Sequence, residues 1–297
     1  MPPSPGRPRR RPPSHRPPTR SLPGDERWPQ EPVRISTGTA QVVQTADDPD
    51  GVTLLVNGVP SSHLDLADPT RLEFEYMQQM TAVLDAFRPP PAALTVVHLG
   101  AGACALARAV HAARPESRQL ALELDGQLAA LVRTWFDLPR SPALRIRVGD
   151  ARTELGRLPD ASADVVVRDV FAGDRTPDPL TTAELTADVS RVLRPGGLYL
   201  ANCADRPPLT LARSEVATVA SVFTHVAAIA EPAQLKGRRY GNVVLAATDS
   251  PAVLDSPALA RALRSLPVPA HLLHGEELSS FAGRAPVRHD VEEASRP

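Results

Sequence analysis

The sequence predicts an α/β protein, a largely parallel sheet flanked by helices and preceded by a small β-rich unit. Three observations carry that prediction. Apolar, β-branched segments alternate with helical patterns from residue 94 to residue 248, the signature of βαβ units. The first of those segments, in "TVVHLGAGACALARAV" (Thr95 to Val110), runs through a glycine-rich turn into an alanine-rich helical pattern. Upstream of both, the run Pro89-Pro90-Pro91 separates the alternating region from short strand patterns.

Taken in order, residues 1–34 hold eight Arg against three acids and almost no large apolar side chains. Such a segment cannot bury enough surface to offset its ordering entropy, so it reads as a disordered, solvated tail. Residues 35–88 follow as a small β-rich unit with a linking helix. "VRISTGTAQVVQ" and "GVTLLVNGV" read as strands, with Asp50-Gly51 and Asn57-Gly58 as turn signals. Leu72, Tyr76, Met80, Val83, Leu84 and Phe87 then recur at helical spacing up to the proline run.

Residues 89–250 read as the cofactor-binding catalytic domain. Its expected strands are 94–99, 118–124, 144–148, 163–169 and 197–202, and its expected helices 103–113, 126–135, 151–157, 181–193 and 209–222. "HVAAIA" and "GNVVLAAT" close it as two strands with no helix between them, which implies antiparallel pairing at the sheet edge. Residues 251–297 read as an irregular tail with a weak helical signal at 256–265.

Composition narrows the function classes. The net charge is −1 and the first 34 residues carry a net charge of about +5, so the remainder is acidic and nucleic acid is not an expected partner. Two cysteines, Cys104 and Cys203, neither in a C-x-x-C pair, exclude a disulfide scaffold and suggest a reduced cytoplasmic setting. The most apolar region, 94–113, is broken by His98, Gly100, Gly102, Arg108 and His111, and the N-terminal stretch lacks a secretory apolar core, so no membrane association is expected. "HLLHGEE" has two histidines but no third ligand at metal spacing, so no metal site is expected. The single lysine, Lys236, supports neither a phosphate-loop nor a Schiff-base motif.

The chemistry-bearing positions lie where strands should end. Gly100 and Gly102 open a G-x-G turn, with Ala105 at the third position. Glu123 ends the second strand pattern, where a carboxylate accepts hydrogen bonds from ribose hydroxyls; this fits NAD as well as other adenosine cofactors. Asp125 reads as the N-cap of the next helix. Asp150 ends the third strand pattern, placed to accept the adenine amino proton, and this second acid favours an S-adenosyl cofactor over NAD. Asp169 ends the fourth, where the reactive end of a ligand should lie.

The set "HLGAGACAL", "ALELD", "VGDA", "VVVRDVF", "LRPGG" and "RRYGNVVLAA" resembles the Rossmann-like class I AdoMet-dependent methyltransferase fold. With the upstream "LLVNGVPSSHLDLADPTRLEFEYMQQM" it resembles, more narrowly, the spermidine synthase (polyamine aminopropyltransferase) family over residues 52–248. The resemblance implies that Gly100 and Gly102 form the cofactor turn, Glu123 holds the ribose, Asp150 meets the adenine, Asp169 is the base and Tyr76 the active-site tyrosine. It implies decarboxylated S-adenosylmethionine or S-adenosylmethionine as the cofactor, a small amine or other small acceptor, and a homodimer. The alternatives are methyl transfer from AdoMet to a small molecule and a non-catalytic nucleoside-binding scaffold.

The chain also departs from the family pattern. Ala103 stands where the family carries an Asp for the amino group of decarboxylated AdoMet, and Asp169-Val170-Phe171-Ala172 replaces an Asp-Ser-x-Asp loop. Asn57 replaces an Asp, Ser61 falls near an expected Gln, and Met77-Gln78 replace His-Glu. Glu73, Glu75 and Asp174 are the acids left to compensate, although Glu73 and Glu75 fit a solvated helix face equally well.

Overall fold

The computed structural model describes residues 27–45 and 47–291. Most of the expected tail, residues 1–26, lies outside the described residues, but its last part does not: Val33–Ile35 is a strand, β1. With β2 (Gly38–Thr45), β3 (Asp48–Val56) and β4 (Val59–Asp65) it forms an antiparallel sheet in the order β1-β2-β3-β4. Asn57 and Gly58 both have positive φ, 53° and 76°, and make the tight β3–β4 turn. Asp50-Gly51 is a correction, since both residues lie inside β3, with Gly51 paired to Asp65. The dipeptide preference yields there to packing: a Cβ on Gly51 would lie 2.1 Å from Asp48 Oδ2 and 2.8 Å from His63 Nε2.

Helix α1 (Glu75–Phe87) buries Tyr76, Met77, Met80, Val83 and Leu84 and links this sheet to the second one. That second sheet takes its parallel strands from β5 (Thr95–Leu99), β6 (Arg118–Glu123), β7 (Leu144–Val148), β8 (Ala163–Arg168) and β9 (Leu193–Asp205). Between them run α2 (Ala105–Ala113), α3 (Gly126–Trp135), α4 (Ala151–Gly156) and α5 (Ala183–Val192). After β9 come α6 (Thr210–Ala220), β10 (His225–Ala230), the short α7 (Pro232–Leu235) and β11 (Gly241–Thr248). The sheet order is β12-β10-β11-β9-β8-β5-β6-β7, parallel from β9 through β7 and antiparallel beyond β9.

The two closing strand patterns do pair antiparallel, but the expected absence of a helix between them is corrected by the one-turn α7, too short for a parallel crossover, and they do not form the edge. Residues 251–297, expected to be irregular, supply α8 (Pro257–Arg264), β12 (His271–Leu273) and α9 (Gly275–Ala282), and β12 pairs with β10. At three residues β12 is too short to give a period-2 signal of its own.

Strand alternation sorts the core into two layers. Val96, Val165, Val167, Leu198 and Leu200 face α1, α2, α3 and α8, while Val97, Leu99, Val166, Tyr199 and Ala201 face α4, α5, α6 and α9. A sheet covered on both sides reads as continuous apolar runs, which is why "VVVR" and "LYLANCA" show no polar alternation. Chain order reverses at β5: β6 and β7 follow on one side, β8 and β9 on the other. The crevice at the carboxyl ends of β5, β6 and β8 is therefore the topological switch point, where open α/β sheets bind ligands.

Candidate active site

The glycine turn leaves β5 at Leu99 and enters α2 at Ala105. Gly100 has φ 89°, and a Cβ there would lie 2.4 Å from the Asp169 carbonyl oxygen, so only glycine lets this turn rest against the end of β8. Gly102 has φ 48°, and a Cβ there would meet Ser62 Oγ at 2.6 Å. Ser62, from β4, accepts the backbone N–H of Ala103 at 3.0 Å, so the N-terminal sheet is pinned directly onto the turn. A cavity of about 50 Å³ lies beneath, lined among others by Ser61, Ser62, Gly100, Gly102 and Asp169. A roomier groove of about 730 Å³, between α1 and α8, includes none of Glu123, Asp150 or Asp169.

Glu123 ends β6 beside the turn, where it accepts the N–H of Ala101 at 3.2 Å and that of Asp125 at 3.0 Å. Burial lifts its carboxyl above the usual range, and the amides of Asp125, Ala101 and Gly102 pull against that lift. Asp125 caps α3 through the amides of Gln127 and Leu128. Its other oxygen accepts from the Thr37 N–H at 2.6 Å and hydroxyl at 2.9 Å, a second tie to the N-terminal unit. Asp150 is exposed at the start of α4 and caps it through the Thr153 N–H at 2.8 Å. Leu124 and Val148 stand beside these acids with 63% and 54% of their surface exposed, an apolar pair at the mouth of an acid-lined crevice.

Asp169, just past β8, is held by two side chains from outside its own strand. Tyr76 Oη donates to its Oδ2 at 2.9 Å and Asn202 Nδ2 to its Oδ1 at 3.0 Å. Burial raises the carboxyl above the ordinary range, while the Asn202 and Tyr76 bonds and the Arg168 charge work to lower it. Burial, and then the Asp169 charge, push the Tyr76 hydroxyl well above its ordinary value, so it stays a donor at all working pH. Asn202 is in turn positioned by Arg168, whose guanidinium donates to the Asn202 and Leu180 carbonyls and pairs with Glu215 at 2.5 Å, the Arg and Glu both fully buried.

The structure thus brings Gly100, Gly102, Glu123 and Asp169 to one crevice with Tyr76, and places Asp150 at its outer edge. The compensating acids are not free: Asp174 pairs with Arg206 at 2.7 Å, Glu75 with Arg239 at 3.6 Å and Glu73 with Arg71 at 3.6 Å. His98 is a core histidine, bonded to Gln119 at 3.0 Å and lowered to about 4 by burial. Among the described residues no group of three His, Cys, Asp or Glu side chains is placed to hold a metal, and no helix is long and apolar enough to cross a membrane. Sequence reading missed Asn202, Ser62 and the Leu124–Val148 pair. For Leu124 the signal was available, an apolar residue immediately after a strand-end acid and before a helix cap.

A probable spermidine synthase from Corynebacterium glutamicum has a solved structure that matches 91% of this chain and 100% of its own, at 40% identity and a TM-score of 0.84. This chain belongs to the spermidine synthase family. The fold of that family, a class I methyltransferase-type sheet with an N-terminal β unit, is the one described above. The polyamine aminopropyltransferase of Vibrio vulnificus is 29% identical over 155 residues, 52% of this chain and 50% of that protein. The eEF1A lysine and N-terminal methyltransferase of Bos taurus is 29% identical over 181 residues, 56% of this chain and 26% of that protein. The chain spans about half the length or less of these curated relatives, and no family model matches it. Ala103, fully buried, brings only a backbone N–H to the turn.

Proposed function

We propose that the protein transfers an aminopropyl group from decarboxylated S-adenosylmethionine to a small amine, with Asp169 as the base. The observation that carries this reading is the Tyr76–Asp169–Asn202 arrangement. It is a half-buried carboxylate at the ligand-binding edge of the sheet, raised in pKa yet held in position by two donors. A base of that kind holds an amine by its proton and takes that proton in the transition state.

The residues present fit an S-adenosyl group. Gly100 and Gly102 keep the turn free of side chains, Glu123 stands where ribose hydroxyls would donate, and Leu124 and Val148 offer apolar faces to a flat ring. Asp150 retains a carboxylate oxygen beyond the one that caps α4, in position for an adenine amino group. Bound there, the sulfonium supplies an electrophilic methylene carbon and a neutral thioether leaving group. Each Asp169 oxygen has one donor and so keeps a lone pair for an incoming ammonium. As the acceptor nitrogen forms its bond to carbon, the C–S bonding pair returns to sulfur and Asp169 carries the released proton. Tyr76, kept neutral, and Asn202 hold the carboxylate aimed throughout. The same reading places the protein in the cytoplasm, supported by two buried free cysteines, and takes it as a homodimer.

Ala103 favours a second reading, methyl transfer from S-adenosylmethionine, because an alanine there does not repel the carboxylate that decarboxylation removes. The relationship to the bovine methyltransferase points the same way. Incubation with each donor and a panel of amines decides between them. Release of methylthioadenosine from decarboxylated S-adenosylmethionine supports aminopropyl transfer, and adenosylhomocysteine from S-adenosylmethionine supports methyl transfer. Binding of nucleoside with neither product leaves the scaffold.

A further inference from the structure

The segment that joins β8 to α5 starts at Asp169, and its two halves are held very differently. Residues 171–175 are exposed, turned by Gly173 at φ 69° and closed by the Ala172 N–H on the Arg175 carbonyl at 2.8 Å. Asp174 ties them to Arg206, but both partners are more than half exposed, and such a pair adds little. Residues 178–181 are instead clasped by three guanidinium groups. Arg168 donates to the Leu180 carbonyl at 2.8 Å and Arg152 of α4 to the Pro179 carbonyl at 2.6 Å. Arg288 donates to Thr181 Oγ1 at 2.8 Å and to Asp178 Oδ1 at 2.6 Å.

Arg288 belongs to a strap, residues 286–290, that follows α9 and bonds to three other segments. Ser214 donates to the Pro286 carbonyl at 2.5 Å and the Arg288 N–H to Thr218 Oγ1 at 2.9 Å, which docks the strap on α6. The Arg288 carbonyl accepts the Ala183 N–H at 2.8 Å, and Glu184 accepts the Asp290 N–H at 3.0 Å and meets His289 at 2.9 Å, which docks it on α5. Asp290 then grips Arg152 at two points, 2.9 and 2.5 Å, the planar pairing that fixes direction as well as distance. Arg152 lies two positions after Asp150. Arg168 adjoins Asp169 and donates to the carbonyl of Asn202, whose side chain donates to Asp169. The strap touches neither Asp150 nor Asp169, but it grips the helix that Asp150 caps and the far end of the loop that Asp169 begins.

We infer that the strap of residues 286–290 serves acceptor capture, with Arg288 and Asp290 as positioning residues that hold the β8–α5 loop in place beside Asp169. The inference rests on the transferase reading, in which Asp169 receives the amine. Because Tyr76 and Asn202 hold Asp169 itself, loosening the strap should spare the chemical step and weaken capture of the amine. The full-length protein is compared with Arg288→Ala by hydrogen exchange and by methylthioadenosine release from decarboxylated S-adenosylmethionine at varied amine concentration. Exchange across residues 170–183 should accelerate about tenfold while that of β8 holds, the sign of a local rather than global opening. The amine KM should rise about fivefold with kcat within about twofold of the wild type, the scale of one lost hydrogen bond. Arg288→Lys, which keeps the charge and a donor, should recover part of both effects. A strap that only shelters α5 and α6 would lower the melting temperature and the active fraction, and so the apparent kcat, while leaving KM unmoved. That pattern, or unchanged exchange at 170–183, overturns the inference. Should Arg288→Ala fail to fold, Asp290→Ala, at an exposed position, reads the same role through Arg152, with an expected rise in KM of about two- to threefold and the same overturning outcomes. Failure of the transferase reading looks different: the wild type itself releases no methylthioadenosine with any amine.

Discussion

Tyr76 Oη lies 2.9 Å from Asp169 Oδ2, so a helix of the N-terminal unit completes a carboxylate site that the central sheet begins 93 positions later. Neither half has the site alone. The bond also sets how readily Asp169 accepts a proton, since Tyr76 and Asn202 are the side-chain donors that oppose the upward push of burial. Removing Tyr76's hydroxyl in Tyr76→Phe deletes one lowering influence, and the carboxyl rises further. Because the reaction needs ionised Asp169, the acid limb of the kcat/KM profile should move to higher pH. The profile of methylthioadenosine release against pH checks it, and an unmoved limb would detach Tyr76 from the base.

Asp169→Asn should abolish turnover, by about a hundred- to ten-thousand-fold if Asp169 is the base. It should also raise the melting temperature at pH 7. The fold raises this carboxyl, so the folded chain holds the proton more tightly than the unfolded chain does. The stability so gained is complete below the unfolded value, about 4, and is lost as pH climbs through the folded value. Asparagine stays neutral, and its Nδ2 can donate to the Asn202 Oδ1, which otherwise lacks a partner. Thermal melts of both proteins at pH 7 and pH 5 should show the advantage of the variant shrinking as the pH falls.

Much of this site was legible because its signals are local. The glycine turn, the strand-end acids Glu123 and Asp169 and the Asp125 cap each sit where a strand pattern hands over to a helix pattern, and such junctions can be read from a few neighbouring residues. Asn202 was not legible. It lies inside an apolar strand, 33 positions from the carboxylate it serves, and a polar residue in a buried run shows its purpose only through its partner. Ser62 stayed hidden for the same reason, its partner being a backbone N–H 41 positions away. The misread Asp50-Gly51 is the converse case, a local signal overruled by packing against His63.

Arg168 and Glu215 are both fully buried and face each other at 2.5 Å. Burial works against the Arg168 charge, and Glu215 more than restores it, leaving the guanidinium above its ordinary value. Glu215→Ala strands that cation among apolar neighbours and should cost about 3–5 kcal/mol. Since Arg168 also holds the Asn202 carbonyl, residual activity in any folded fraction should fall as well. Denaturant melts check the first effect. A loss under about 1 kcal/mol would mean that the pair is not desolvated as described.

Asp125 offers a pH-dependent test of how the N-terminal unit is held to the central sheet. It is buried, caps α3 through two amides and accepts two bonds from Thr37, which follows β1. Burial alone would raise its carboxyl, but the Leu128 amide and the Thr37 hydroxyl and amide outweigh that, and the net shift is downward. A depressed carboxyl contributes stability above its unfolded value, about 3.9, and loses it as pH falls through the folded value. Asp125→Ala should therefore cost about 2 kcal/mol or more at pH 7, a cap plus a tertiary tie. That difference from the wild type should narrow below about pH 4. Asp125→Asn separates the two contributions, since its side-chain oxygen can still cap α3 while its NH2 cannot accept from Thr37. Hydrogen exchange at residues 33–45 should then accelerate while the amides of α3 stay protected. Equal acceleration in both regions would show that Asp125 acts only through its helix.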